Sequence, residues 1–148
     1  MPPGRTSARA GLLMAAPTLT QRIAVHESGH AIVARLLSLP GCGGAFLAPP
    51  HAIFPTNHGA ASICALMGGA IAEVLHFGDY DRVGITIDWK RASRRLRRLG
   101  YTDNGQALWT YTFGLLHPYA GLVKLVAAKL ERARMLDGAT VDALVFRG

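Results

Sequence analysis

The 148 residues are 50% hydrophobic and 17% charged, a balance that excludes an intrinsically disordered chain and suits one domain with a real core. The formal net charge of +7 favours anionic partners in general and names no reaction. Cys42 and Cys64 form neither a CxxC pair nor a disulfide-framework spacing, which points to a reducing, cytoplasmic setting.

Residues 1–19 read as a flexible arm, because the apolar piece from Ala10 to Ala16 is broken by Gly11 and is short for a signal-peptide core. The first helix is predicted from Thr20 to Ser38, halted before Pro40 and the run PGCGG. From Gly41 to Gly59 proline and glycine forbid a regular helix, and the short apolar pieces AFLA and AIF predict a small hairpin or edge strands. The second helix covers Ala60 to Phe77 and stops at Gly78; its length approaches a membrane span, but Glu73, the Gly68-Gly69 pair and the lack of flanking anchors make it a buried core helix.

A third helix is predicted from Thr86, as N-cap, to Gly100, with Asp88, Ala92, Leu96 and Leu99 on one inward stripe. Tyr101 to Pro118 reads as less regular. The last long helix runs from Tyr119 to Leu136, Asp137-Gly138 ends it, and ATVDALV adds one more turn or helix. The expectation is a mainly α, compact helical domain over residues 20–148, carrying a small β-hairpin or edge strands and no membrane span.

His26-Glu27-Ser28-Gly29-His30 matches HExxH, in which histidines at i and i+4 share one helix face and can bind one zinc ion. Ile23, His26, His30, Val33 and Leu37 fall on one stripe, so the imidazoles point inward with apolar neighbours. Two buried imidazoles beside a carboxylate are costly without a compensating charge, and a dication supplies it. In this pattern Glu27 reaches the metal-activated water, takes its proton and passes it to the leaving amine. Catalytic zinc takes three protein ligands. Glu73, His76, Asp79, Asp81, Asp88, His51, His58 and His117 are all candidates for the third, and spacing alone does not choose among them; Asp88 stands out as a carboxylate on an apolar stripe near a helix start.

Four stretches, in order, resemble the peptidase part of the FtsH-type, ATP-dependent membrane zinc proteases. RIAVHESGHAIVA looks like their HEAGHA zinc helix, GGAIAEVLHFG like AGRAAEELIFG, TIDWKRASRRL like the helix with an Asp and a following ATxLAR, and LERARMLDGATVDAL like their closing ETLDGEEI segment. The likeness touches most of the chain from Thr20 onward; the first motif is specific, and the others gain weight from their order. Carried over, it implies zinc held by His26, His30 and Asp88, with Glu27 as the catalytic base. Glu73 matches the first glutamate of AAEE and would lie behind the ligands or pack the helix; it remains the alternative third ligand. The chain departs from the pattern at Ser28 (alanine in the family), Ala70 (arginine) and Val74 (the second glutamate), and its intervals after His30 and after Tyr101 look shorter. These departures bear on the substrate groove and on ring assembly.

The 148 residues contain no GxxxxGK(S/T) loop, so the expectation is a peptidase standing without its own ATPase. It would hydrolyse unfolded or short polypeptides, with a homo-oligomer or an ATPase acting in trans as possible partners. Lys90 to Arg98 gathers six of the sixteen Lys and Arg residues, a run that invites nucleic acid. A solvated helix face is favoured instead, since stacking aromatics are not interleaved beyond Trp89 and Tyr101. The rival readings are a catalytically inactive zinc-binding interaction or structural protein of the same fold, and a basic nucleic-acid-binding module.

Overall fold

A computed structural model describes residues 16–147; the arm expected over residues 1–19 therefore lies mostly outside the described residues. Thr18 opens helix α1 (Leu19–Leu36) with a capping box, its hydroxyl accepting from the Gln21 N–H while the Gln21 side chain accepts from the Thr18 N–H. Strands β1 (Ala45–Leu47) and β2 (Pro50–Ala52) form an antiparallel hairpin with Phe46 opposite His51. Helix α2 (Gly59–Phe77) ends on Gly78, whose φ of 80° suits a residue without Cβ. Helices α3 (Arg82–Arg98), α4 (Gln106–Leu116), α5 (Ala120–Ala133) and α6 (Gly138–Arg147) follow, and the short strand β3 (Met135–Leu136) between α5 and α6 pairs with β1. The sheet order is β2-β1-β3, which leaves β2 on an edge. The chain is thus mainly helical with a small three-stranded sheet.

The apolar composition of α2 decides the packing. It lies against α1, α3, α4 and α5, and Ile63, Ala65, Ile71 and Ala72 are fully buried. By length and composition it is apolar enough to cross a membrane, yet 72% of that window is buried inside the protein, as befits a central core helix. Its crossing with α1 is glycine against glycine. A Cβ on Gly29 would run into the Gly68 carbonyl oxygen and lie 2.6 Å from the Ala72 Cβ, and one on Gly68 would lie 2.8 Å from the Gly29 carbonyl oxygen. The two backbones therefore touch, which brings the HExxH face of α1 directly onto α2. Buried Arg35 fastens the far end of α1 by donating to the Asp142 carboxylate at 2.5 Å and to the carbonyls of Gly43 and Gly138.

Three expected boundaries are corrected. Helix α3 begins at Arg82, one turn before Thr86, and the Thr86 hydroxyl donates back to the Arg82 carbonyl at 2.7 Å instead of capping. A tertiary contact accounts for the early start: the Asp81 N–H donates to Glu73 Oε1 at 3.1 Å, pinning the helix origin to α2. Asp88 accordingly sits in the second turn, and Leu99 is 49% exposed instead of joining buried Ala92 and Leu96.

The stretch expected to be irregular contains α4, whose Thr and aromatic residues and Gly114 are poor helix formers. Burial of Trp109, Thr112 and Leu116 overrides that propensity, and the Asp103 carboxylate receives the N–H groups of Gly105 and Ala107 at 3.0 and 2.9 Å. Finally, α5 stops at Ala133, because Arg134 turns left-handed and Met135–Leu136 leave to pair with β1.

The glycine crossing yields a direct expectation. Gly29→Ala should lower stability by about 3 kcal/mol through overpacking against backbone that cannot yield, measured by chemical denaturation. Wild-type stability in this variant would show that α1 and α2 do not cross there.

Candidate metal centre

One turn of α1 and the second turn of α3 meet over α2. His26 Nε2 and His30 Nε2 stand 3.0 Å apart, and Asp88 Oδ2 lies 2.9 Å from each. Three donor atoms thus form a nearly equilateral triangle. His26 is 9% and His30 3% exposed, so water does little to relieve the convergence.

The far sides of both rings settle which atoms carry lone pairs. His30 Nδ1 lies 2.7 Å from the Ala65 carbonyl oxygen, which can only accept, and His26 Nδ1 lies 2.7 Å from Glu73 Oε2. Both Nδ1 atoms are therefore N–H donors, and in the neutral rings both Nε2 atoms present lone pairs toward each other and toward a carboxylate oxygen. Three lone pairs so placed repel unless a proton or a cation lies among them. Donors bound about 2.0–2.1 Å from a tetrahedral zinc ion stand about 3.3–3.4 Å apart, so this triangle is a few tenths of an ångström tighter than a filled site, and imidazole and carboxylate are ordinary zinc donors. The donor set fits a small dication.

Glu73 is 1% exposed and holds His26 from behind. Its other oxygen accepts from Arg22 Nη1 and from the Asp81 N–H, both at 3.1 Å. Arg22 also donates to Asp79 at 2.5 Å and lies over the Phe77 ring. Glu73 thus engages the Nδ1 side of His26, opposite the triangle, and its role here is orientation. Gly69 forms the shelf beneath His26: a Cβ there would lie 2.5 Å from Nε2 and 2.7 Å from two ring carbons. Arg22 was not marked as a site residue in the sequence, although it lies one turn before His26 on the same face, and Gly69 was read only as part of a glycine pair in the core helix.

The remaining candidates are engaged elsewhere. The His76 Nδ1 contacts the Ala72 carbonyl, His117 stacks on Phe113, and Asp79 binds Arg22. His58 is exposed at the start of α2. His51 and Asp81 line the same cleft as the triangle, but the His51 ring stacks on Phe46 and its Nδ1 turns to the Pro49 carbonyl.

That cleft has a volume of about 760 Å³. Glu27 lines it at 5% exposure; Oε1 is 3.9 Å from His30 Nε2, and Oε2 is buried without a hydrogen-bond partner. A buried, unpartnered carboxylate oxygen is costly, and here it belongs to a residue that lines a cleft a substrate can enter. Pro50 to Phe54 form one wall of the cleft. Because Ile53 turns both its N–H and its C=O to Gly44 and Gly43, the preceding Ala52 turns its own outward along the open edge of β2.

The electrostatics follow the geometry. Burial by itself disfavours a charged His26, but the hydrogen bonds with Asp88 and Glu73 and the charge of Glu27 outweigh it and raise the group from 6.5 to about 10. His30 is raised too, with burial opposing and the Asp88 charge prevailing. Burial favours a neutral Asp88, yet the His30 charge and the hydrogen bonds from both rings hold it well below the usual carboxylate range.

No known protein family matches the chain, and no curated protein matches it. The chemistry of the site therefore rests on its own geometry.

Two outcomes are expected. Without metal, the His26 contribution to stability is complete below pH 6.5 and fades as pH rises through about 10, the His30 contribution runs in the same sense, and the Asp88 contribution is complete above 3.8 and fades as pH falls further. With zinc the sense reverses, because protons compete for the same lone pairs. The gain in Tm on adding zinc to chelator-stripped protein should grow from pH 6 to pH 9, with protons released on binding; a pH-independent gain would remove the triangle as the binding site. Gly69→Ala should displace the His26 ring and weaken zinc binding by about tenfold or more, comparable to losing an orienting contact, as read by competition with a chromophoric chelator.

Proposed function

We propose that the protein is a zinc-dependent metallopeptidase of the HExxH type, akin to the peptidase part of the FtsH-type proteases, acting on unfolded or short polypeptides without its own ATPase. The observation that carries this reading is Glu27: a buried carboxylate with an unpartnered oxygen, beside the His26, His30 and Asp88 triangle, at the wall of an open cleft.

His26, His30 and Asp88 would hold the ion, oriented by Glu73 and the Ala65 carbonyl. When bound, zinc supplies a Lewis acid for the scissile carbonyl and a water acidic enough to attack near neutral pH. The Glu27 carboxylate, whose Oε1 lies on the side of His30 Nε2, would take the proton of that water and deliver it to the leaving amine, and its burial keeps bulk water from competing for it. The open edge of β2 offers the Ala52 N–H and C=O to an extended peptide, which holds the substrate in line by strand addition. Leu19, Ile23, Phe54 and Leu66 give the cleft apolar walls for side chains. Such a backbone-directed site favours unfolded chain, since most strands of a folded substrate are already paired within their own sheets; an ATPase acting in trans would widen the range. The two unpaired cysteines support a cytoplasmic setting.

Glu27→Gln should keep zinc content and Tm while lowering kcat on a peptide library by about a thousandfold, the scale of a lost general base. Wild-type cleavage by this variant would overturn the reading. Wild-type protein whose melting is chelator-sensitive but which never cleaves peptide would make the ion a structural staple.

A further inference from the structure

The face of α3 that presents Gly84, Ile87 and Asp88 to the cleft does not end there. Arg91, three residues beyond Asp88, also lines the cleft, and Arg94 and Arg98 continue at spacings of three and four residues away from buried Ala92 and Leu96, with half-buried Arg95 on the flank between them and the core. Arg91, Arg94 and Arg98 are exposed. Among the described residues none of these arginines forms an ion pair, whereas Arg22 and Arg35, the arginines nearer the core, each do. Burial of its stem and the charges of Arg98, Arg91 and Arg94 push the Arg95 guanidinium below its usual value. Four like charges are therefore crowded along one stripe without a counter-charge.

The acids of the neighbourhood do not relieve them. Glu73 and Asp88 are committed to the histidines, and Asp79 to Arg22; among the described residues neither Glu27 nor Asp81, which also line the cleft, is ion-paired with any of the four arginines. Of the two arginines lining the cleft, Arg91 is exposed and Arg22 is half-buried and paired.

We propose that the Arg91, Arg94, Arg95 and Arg98 stripe is a binding track for acidic peptide segments, so that the substrates of the cleft are polypeptides carrying Asp or Glu side chains beside the bond held at the triangle. This deepens the peptidase reading and rests on it for the fate of the bound peptide. From Arg91 to Arg98 the helix rises about 10 Å, the span of about three residues of extended chain. Several side-chain carboxylates fit that length, and a single terminal carboxylate does not use it. Guanidinium forks match carboxylates in bidentate pairs. Peptide is favoured over nucleic acid because the track runs into a cleft walled by an open strand edge. The aromatics near it, Trp89 and Tyr101, pack against the core, which leaves no platform for stacking bases.

The test uses the full chain carrying Glu27→Gln, loaded with zinc, and isothermal titration with three probes: an amidated peptide with an acidic central segment, its twin with Gln at every acidic position, and a single-stranded oligonucleotide of equal length. The acidic peptide should bind at least about tenfold more tightly than its twin, with an advantage that shrinks as salt rises. Combined Arg91→Gln, Arg94→Gln and Arg98→Gln should abolish that advantage, and Arg91→Gln alone should reduce it. Lys124→Gln, Lys129→Gln and Arg132→Gln on α5, which remove the same charge elsewhere, should leave it within about twofold. Equal affinity for peptide and twin, equal losses in the two triple variants, or tighter binding of the oligonucleotide would each overturn the proposal. Binding of this pattern without cleavage by wild-type protein would leave the track standing and remove the peptidase; equal cleavage of peptide and twin would do the reverse.

Discussion

Two hydrogen bonds on the far sides of two rings govern this site. Once Ala65 and Glu73 claim the Nδ1 protons of His30 and His26, both Nε2 lone pairs must face the space they share with Asp88. Everything else follows from keeping those bonds in place. The Ala65 carbonyl is usable only because α2 lies unusually close to α1, and that approach exists only because Gly29 and Gly68 carry no side chains. Glu73 is usable only because Arg22 and the Asp81 N–H occupy its other oxygen and keep a fully buried carboxylate supplied with donors. The fold thus treats Glu73 as a beam between three elements, and the start of α3, with Asp88 on its second turn, is set by that beam.

Charge is laid out in two zones. Around the triangle, Glu27, Glu73, Asp79, Asp81 and Asp88 gather five of the nine acidic residues of the chain into the neighbourhood of one cleft, and Arg22 and the imidazoles offset them only in part. Beyond Arg91 the outer face of α3 is purely cationic. A strongly positive approach leading to a compact negative pocket is what a dication and an anionic peptide together would require, because each neutralises a zone the protein leaves unbalanced.

The small sheet serves the site less by stability than by position. Its middle strand is clamped between β2 and β3, and Arg35 ties the Gly43 carbonyl at the head of the hairpin to α1. The edge strand β2 is therefore held rigidly along the cleft with the backbone of Ala52 free, a placement no local preference of Pro50 to Ala52 would produce.

The HExxH spacing on an apolar stripe was enough, unaided, to mark His26, Glu27 and His30, and hydropathy was enough to mark α2 as the central helix, since both are periodic signals carried within one element. Helix α4 was hidden because its propensities are poor and its stability comes from burying Trp109 and Leu116, a partner-dependent gain. The origin of α3 was hidden because an acid nine residues before Arg82, Glu73, sets it through the Asp81 N–H. Spacing alone left open which of many acids and histidines faces the triangle, and a family resemblance pointed to Asp88 with Glu73 behind; the distances that bring Asp88 and Glu73 to the two rings, and the reason Gly69 must lack a side chain, came only with tertiary structure. Those are relations between elements far apart in the chain, and spacing along one helix carries no information about the distance to another.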